Sequence, residues 1–142
     1  MSEIIEVWTD GSAVPNPGVG GFAVMNKNGK PLILGREEKS TNIRMEMLAI
    51  ISAMKRARGR KMVIHTDSQF TINVLTKWAR GWESRGWKKA QGEIKNLDLV
   101  KEAWEVYGRE NIEMVWTKGH AEDAINEAAD EWARRARLGE KL

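Results

Sequence analysis

The dipeptide Asn28-Gly29 lies between two apolar runs, residues 20–25 and 31–35, that each have the length of a β-strand. Asn-Gly accepts the positive backbone φ angles that a two-residue hairpin turn requires. A third apolar run, residues 4–9, precedes this pair. The chain is therefore predicted to open with an antiparallel meander of three strands.

A helix and then another strand follow the meander. Helical periodicity covers residues 41–57, and Gly59 separates this helix from an apolar strand at residues 62–65. A helical crossover of this kind joins neighbouring parallel strands. The later elements are short helical pieces at 68–77 and around Trp82, a helix with the stripe Leu97, Val100, Trp104 and Tyr107 ended by Gly108, a strand at 112–117, and a closing helix with the stripe Ile125, Ala129, Trp132 and Ala136. The order βββαβαααβα predicts an α/β fold.

The chain has 142 residues, which is enough for one hydrophobic core and short for two. It contains no internal repeat and no low-complexity linker that would divide it. We therefore expect residues 1–142 to form a single domain.

Two aspartates directly follow apolar runs. Asp10 comes after the run that ends at Thr9, and Asp67 comes after the strand at 62–65 and Thr66. Both are therefore expected at the carboxyl ends of strands, the edge at which open α/β sheets bind ligands. If the two strands are neighbours, the two carboxylates lie close together.

Glu46 lies within the apolar stripe of the first long helix. Ile43, Met47, Ile50 and Met54 recur at helical spacing, and Glu46 comes three residues after the first and four before the third. The pattern therefore predicts a carboxylate on the buried face. An ionised carboxylate is costly there unless a cation or another good partner accompanies it.

Asp130 lies four residues after Asn126 near the start of the closing helix, so the two side chains share a helix face. A single acid after a strand or near a helix start most often belongs to a turn or a cap, or complements the helix dipole. Four acids on elements that can converge favour a site for hard cations such as magnesium. The chain has no cysteine, so a metal site must use oxygen or imidazole ligands.

Basic residues and tryptophans alternate in the segment 77–89, which we call the handle segment. It carries five basic residues and one acid, Glu83, together with three of the seven tryptophans. Basic side chains can neutralise phosphates while indole rings pack on sugars or bases, a combination suited to holding a nucleic-acid strand. The alternative is a solvated helix whose tryptophans face the core. The two interpretations are compatible, and at least one ring is expected to be structural.

Charge and hydropathy constrain the location of the protein. The formal net charge is +3, which alone is weak evidence for nucleic acid. No apolar stretch approaches the length of a membrane span, and the first residues lack the basic and apolar regions of a secretory signal. We expect a cytoplasmic protein.

Several short motifs occur in an order and spacing that are highly specific together. They are Thr9-Asp10-Gly11-Ser12, Asn16-Pro17-Gly18 with Gly20-Gly21, Thr41-Asn42 with Arg44-Met45-Glu46, Thr66-Asp67-Ser68-Gln69, Lys118-Gly119-His120, and Asn126-Glu127 with Asp130-Glu131. Over nearly its whole length, the chain thereby resembles bacterial-type (type I) ribonuclease H, the endonuclease that cuts the RNA strand of RNA/DNA hybrids. The resemblance implies a five-stranded mixed sheet whose first and fourth strands are adjacent and parallel.

The resemblance also implies a catalytic apparatus. The family's metal-binding catalytic carboxylates fall on Asp10, Glu46, Asp67 and Asp130, and its mobile catalytic histidine falls on His120. Two Mg²⁺ ions, with Mn²⁺ as a substitute, would flank the scissile phosphate of a bound substrate. Phosphodiester hydrolysis would leave a 5′-phosphate and a 3′-hydroxyl, and no cofactor beyond metal is implied.

Substrate contacts follow from the same resemblance. The RNA/DNA hybrid is the expected partner, and the enzyme is expected to act as a monomer. Gly11, Asn42 and Gln69 would approach the RNA strand, Thr41 and Asn96 would hold a phosphate of the DNA strand, and Trp78 would lie beside deoxyribose. Further nucleic-acid contacts are expected from Asn16, Trp82, Arg85, Trp87, Lys88 and Lys89.

Three other functions stay open at this point. A resolvase or integrase core would use a similar acidic cluster, although the handle segment and the His120 loop argue against it. A binding module that has lost catalysis would be expected to lack a metal ligand, and none is missing. A flavodoxin-like small-molecule binder is disfavoured because Gly18, Gly20 and Gly21 precede a predicted strand instead of opening a helix.

Overall fold

The computed structural model describes residues 4–89, 91–117 and 124–142 and contains one five-stranded sheet with the order β3-β2-β1-β4-β5. The strands are β1 Ile5–Val14, β2 Gly18–Asn26, β3 Pro31–Ser40, β4 Met62–Thr66 and β5 Ile112–Trp116. β1 pairs antiparallel with β2, and β2 with β3, whereas β4 pairs parallel with both β1 and β5. The predicted mixed sheet, with an antiparallel meander and adjacent parallel first and fourth strands, is therefore confirmed.

Helices cover both faces of the sheet. They are α1 Asn42–Met54, α2 Gln69–Asn73, a π-helical turn Val74–Trp78, α3 Ala79–Ser84, α4 Leu97–Arg109 and α5 Ala124–Arg137. α1 packs on β1 and β2, α4 packs against α1, and the main core lies on this side of the sheet. α5 packs on the opposite face against β1, β2 and β3. Within the described ranges, no helix is long and apolar enough to cross a membrane.

β1 is longer than its apolar run. We predicted that it ends near Thr9, but β1 continues to Val14 because β2 pairs with it from Val7 through Val14. The parallel pairing with β4 stops earlier, at Trp8 opposite His65. Asp10 therefore lies inside a strand, yet at the level where the neighbouring strand β4 ends and a crevice can open.

Several predicted boundaries differ from the observed ones by a few residues. α1 ends at Met54 instead of residue 57, and the chain then turns through Gly59 at φ 85°. α4 continues one residue beyond Gly108 because that glycine has no positive φ that would interrupt the helix. The Asn28-Gly29 hairpin is confirmed, with Gly29 at φ 78°.

Two glycines let helix backbones approach the sheet closely. A Cβ atom on Gly11 would lie 2.5 Å from the backbone carbonyl carbon of Met45 in α1. On the opposite face, a Cβ atom on Gly21 would lie 2.3 Å from the backbone nitrogen of Arg137 in α5. Because these positions lack side chains, α1 and α5 lie against β1 and β2 at backbone contact distance.

Candidate active site

Three of the predicted carboxylates share one small cavity of about 80 Å³, together with Asn126 and Glu127. Asp10 reaches it from β1, Asp67 from the residue after β4, and Asp130 from α5. Trp8, which packs against α5 residues, and Asp10 are two residues apart in β1, so both side chains are on the α5 side of the sheet. The parallel pairing of β1 with β4 and the close packing of α5 thus bring these three carboxylates together.

The cavity is unfavourable for negative charge. The pKa of Asp10 is raised from its usual 3.8 to about 8, chiefly by burial and then by the nearby charges of Asp67 and Asp130. The backbone N–H of Gly11 opposes this shift by donating a hydrogen bond to Asp10 Oδ1 at 2.9 Å. Near neutral pH, Asp10 therefore holds a proton unless a cation compensates its charge.

Glu46 extends the acidic cluster from the α1 side. The pKa of Glu46 is raised from 4.5 to about 7, chiefly by burial; a hydrogen bond with the Ser68 hydroxyl opposes this shift, and the charge of Asp67 adds to it. Asp67 thus acts electrostatically on both Asp10 and Glu46 and lies between them in the cluster. The structure therefore groups all four predicted carboxylates at one edge of the sheet.

The chemistry of this donor set fits hard divalent cations. All four side chains offer carboxylate oxygens, the ligands that Mg²⁺ and Mn²⁺ take in proteins. Across residues 4–89, 91–117 and 124–142, no three acidic or histidine side chains already have the arrangement of a metal-binding site. A cation bound by these carboxylates would offset the burial of Asp10 and the repulsion from Asp67 and Asp130 that together raise its pKa.

Two predicted nucleic-acid-binding asparagines hold the start of α1 in place. Asn42 Oδ1 accepts a hydrogen bond from the Ala13 N–H at 2.7 Å, and Asn16 Oδ1 accepts one from the Asn42 N–H at 3.1 Å. Thr41 is the N-cap of α1, and its Oγ1 accepts from the Arg44 N–H at 3.1 Å. These oxygens are occupied, whereas no hydrogen bond within the described ranges uses the side-chain amide N–H groups of Asn16 and Asn42 or the Thr41 hydroxyl hydrogen, so these donors are available to a ligand.

Gly11 and Gln69 lie on either side of the carboxylates. Gly11 is buried beneath α1, and Gln69 is exposed at the first residue of α2. Both positions neighbour a carboxylate in sequence, Gly11 after Asp10 and Gln69 two residues after Asp67.

A second and larger cavity, of about 440 Å³, contains other predicted substrate residues. It is lined by Ile43, Phe70, Trp78, Trp82, Lys89, Ile94, Lys95 and Asn96. Trp78 is 39% exposed, and its ring lies 5.8 Å from that of Trp82. An aromatic wall beside two lysines suits a sugar-phosphate strand.

The handle segment is partly structural. Trp82 and Trp87 pack against the main core, which confirms that at least one of these rings is structural. Trp87 faces α4, where Lys101 lies 5.8 Å from its ring centroid, and it does not line the cavity of Trp78. Arg85 and Lys88 are exposed, so their charges can reach a partner.

The prediction for His120 lies outside the described residues, as does all of segment 118–123. The described chain stops at Thr117, directly after β5, and resumes at Ala124, the first residue of α5.

The sequence patterns predicted neither the ion-pair cluster around Arg44 nor the exposure of Ile43. Arg44 contacts Glu37 and Asp98, which are 7 and 54 residues away, and no local pattern links such distant positions. Ile43 was expected on the buried stripe of α1 but is 40% exposed, because the first turn of α1 lies at the open cavity.

Comparisons with known proteins agree with the geometry. The family model for RNase H matches residues 2–137. The chain is 38% identical over 141 residues to a ribonuclease H of Granulibacter bethesdensis, covering 96% of this chain and 94% of the relative. It is 40% identical over 139 residues to a ribonuclease HI of Neisseria meningitidis, covering 95% and 96% of the two chains.

Solved structures show the same fold. The crystal structure of LC9-RNase H1, a type 1 RNase H with the type 2 active-site motif, superposes with a TM-score of 0.79 at 29% identity. That match covers 98% of this chain and 74% of the other. The solution structure of the prototype foamy virus RNase H domain matches with a TM-score of 0.72 at 21% identity and covers 94% of each chain.

Proposed function

Because the chain belongs to the ribonuclease H family, whose members hydrolyse the RNA of RNA/DNA hybrids, we propose that it cuts the RNA strand by a two-metal-ion mechanism. The observation that carries this proposal is the convergence of Asp10, Asp67 and Asp130 on one cavity, with Glu46 beside them. A cluster whose burial and mutual repulsion raise pKa values needs cationic compensation in order to ionise.

The four carboxylates are the proposed ligands of two Mg²⁺ ions, with Mn²⁺ as a substitute. When bound, the ions would supply a nucleophilic water at neutral pH and offset the charge on the reacting phosphate. Asp10 and Asp67 would bind the ions from the sheet edge, and Glu46 and Asp130 would approach them from helices on the two faces of the sheet. The proposed products have 5′-phosphate and 3′-hydroxyl ends.

Strand discrimination is proposed to come from residues on both sides of the carboxylates. Gly11, Asn42 and Gln69 would contact the RNA strand, where a 2′-hydroxyl distinguishes RNA from DNA, and Asn16 would add a further nucleic-acid contact. The Asn42 amide is preset for this role because its oxygen is already bound to the Ala13 N–H.

The DNA strand is proposed to occupy the larger cavity. Asn96, which lines this cavity, and Thr41, which lines a separate groove with Arg44, would hold one of its phosphates, and the exposed face of Trp78 would pack on deoxyribose. Trp82, Lys89 and the exposed Arg85 and Lys88 would extend the contact along the duplex. Trp87 would support this surface from behind, since it packs against α4.

We also propose that His120 transfers a proton to or from the reaction, since imidazole titrates near neutral pH. The chain is proposed to work as a single catalytic domain, as a monomer and in the cytoplasm. Gel filtration with light scattering would test the oligomeric state.

Cleavage of a hybrid with separately labelled strands tests the function directly. With Mg²⁺, we expect cutting of the RNA strand only, no cutting of double-stranded RNA or DNA, and loss of activity in Asp10→Asn and in excess chelator. Tight hybrid binding without cutting would support a non-catalytic binding module instead. Cutting of branched DNA would place the chain with resolvases.

A further inference from the structure

Arg44 joins three elements of the fold through its side chain. Its Nη1 and Nη2 donate to the two carboxylate oxygens of Asp98 at 3.2 and 3.0 Å, and its Nε donates to Glu37 Oε1 at 3.2 Å. Arg44 belongs to α1, Glu37 to β3 and Asp98 to the first turn of α4. A two-pronged guanidinium–carboxylate pair fixes the orientation of both groups as well as their distance.

Arg44 and Asp98 are each close in sequence to a residue that we assign to a phosphate of the DNA strand. Thr41, the N-cap of α1, is three residues before Arg44, and its Oγ1 accepts a hydrogen bond from the Arg44 backbone N–H. Asn96 is two residues before Asp98 and has left-handed backbone angles, with φ 57°. Asp98 therefore fixes the helix start that presents Asn96, and Arg44 fixes the helix start that presents Thr41.

Arg44 is poorly suited to bind the phosphate itself. Two carboxylates already occupy its guanidinium, so the positive charge is locally more than neutralised. The pKa of Asp98 is lowered chiefly by its hydrogen bond with Arg44. Both groups are thus charged near neutral pH and engaged with each other.

We propose that Arg44 is a positioning residue for the substrate: by binding Asp98 and Glu37 it sets the spacing of Thr41 and Asn96 so that both contact the same DNA-strand phosphate. This inference rests on the proposed function, in which Thr41 and Asn96 are the phosphate contacts. It adds that the contact depends on a salt-bridge cluster that touches neither the phosphate nor the reacting atoms.

The test uses hybrids in which one DNA-strand phosphate at a time is replaced by a neutral methylphosphonate. The ratio of kcat/KM for unmodified and modified substrates then reports the contribution of each phosphate. The variants are Asp98→Asn, which removes the charge but keeps the shape, and Arg44→Lys, which keeps the charge but loses the two-pronged geometry. Thr41→Ala and Asn96→Ala remove the proposed contacts themselves.

The chain offers a matched control on the same pair of helices. Lys55 Nζ lies 2.6 Å from Glu102 Oε2, and this ion pair joins the residue after α1 to α4, at the far end of α1 from Thr41. Glu102→Gln therefore removes an ion pair between the end of α1 and α4 without affecting the helix starts. Urea denaturation of every variant separates loss of folding from loss of positioning.

We expect one phosphate position at which the wild type loses roughly 10-fold or more in kcat/KM, the size of a charge-assisted hydrogen bond. In Asp98→Asn and Arg44→Lys, the ratio of kcat/KM for unmodified and modified hybrids should fall toward one at this position. KM for the unmodified hybrid should rise about 10-fold, while kcat changes by less than about 2-fold. Glu102→Gln should keep the wild-type profile. If Arg44 and Asp98 only stabilised the fold, their variants would be less stable but would keep the wild-type dependence of kcat/KM on the position of the modified phosphate.

Two negative results have different meanings. If Thr41→Ala and Asn96→Ala flatten the profile but Asp98→Asn and Arg44→Lys do not, the phosphate contacts stand and the positioning role is refuted. If Thr41→Ala and Asn96→Ala leave the profile unchanged, the proposed contacts themselves are wrong, and the role of Arg44 falls with them. Strand-specific cleavage by the wild type would still support the nuclease function in either case.

Discussion

Asp10→Asn is expected to stabilise the metal-free protein at alkaline pH, although it should abolish activity. In the folded chain, burial and the charges of Asp67 and Asp130 oppose ionisation of Asp10 and raise its pKa to about 8. In the unfolded chain the same carboxyl ionises freely. An asparagine of nearly the same shape removes this conflict and can still accept the hydrogen bond from the Gly11 N–H.

The direction of this stability change follows from the number of protons that the folded and unfolded states bind. Between pH 3.8 and about 8 the folded state holds a proton on Asp10 that the unfolded state has lost, so the free energy of unfolding falls as the pH rises through this window. At about 1.4 kcal/mol for each pKa unit, the full shift would correspond to roughly 5 kcal/mol at pH 8. Because the cluster borders solvent and ions screen it, we expect a gain of about 2 to 3 kcal/mol in Asp10→Asn.

Urea denaturation in a chelator, followed by circular dichroism, measures this difference at several pH values. The variant should match the wild type near pH 4 and exceed it by a margin that grows toward pH 8. Asp98→Asn is the control of opposite sign, since Arg44 lowers the pKa of Asp98 in the folded state. Its paired carboxylate contributes stability above its unfolded pKa, so Asp98→Asn should destabilise the protein at neutral pH and less so in acid.

One result would refute this reasoning. If metal-free Asp10→Asn folds but is no more stable than the wild type at pH 8, burial and the neighbouring carboxylates do not oppose ionisation of Asp10. Added Mg²⁺ provides a second comparison, because it should stabilise the wild type more than the variant at pH 8.

Other predictions concern the supports of the site. Gly11→Ala should lose about 1 to 3 kcal/mol of stability and at least 10-fold in turnover, because its Cβ atom would lie 2.7 Å from the Glu46 backbone nitrogen and displace α1. Gly108→Ala is the control: its Cβ atom would enter open space in α4, so this variant should gain about 0.5 to 1 kcal/mol of stability. Thermal melts and cleavage assays compare the two variants. His120→Ala should slow turnover roughly 10²-fold with unchanged hybrid affinity, and an unaltered rate would remove it from the mechanism. The double substitution Lys88→Gln with Lys89→Gln should weaken hybrid binding and reduce the slope of log Kd against log salt by up to about 2, as measured by fluorescence anisotropy.

The sheet and the first three carboxylates could be predicted because their signals are local. An Asn-Gly turn, a helical crossover and an acid after an apolar run are short patterns. The adjacency of β1 and β4 is implied only by the family resemblance, because the crossover helix α1 joins β3 to β4 and both β2 and β1 lie between those strands. The extension of β1 to Val14 could not be predicted in this way. Residues 11–13 have no apolar run, and they are extended because β2 pairs with them.

Contacts distant in sequence explain the other misses. Arg44 could be assigned to α1, but its partner Asp98 lies on a helix that packs beside α1 only after the chain has folded. Ile43 follows the helical period of α1, yet periodicity cannot indicate which turns of a helix are covered by other parts of the fold. Its exposure follows from the open cavity beside the first turn of α1.

The acidic cluster and the basic handle segment have separate consequences for a polyanionic substrate. Cations on the handle segment can bind the duplex through its phosphates, but they cannot neutralise the four carboxylates at the sheet edge. With the pKa of Asp10 at about 8 and that of Glu46 at about 7, these groups are partly protonated at neutral pH in the absence of metal. A cation that binds them must displace those protons, so cation affinity rises as the pH increases toward 8. The burial and repulsion that raise these pKa values therefore also couple cation binding, and with it cleavage, to pH.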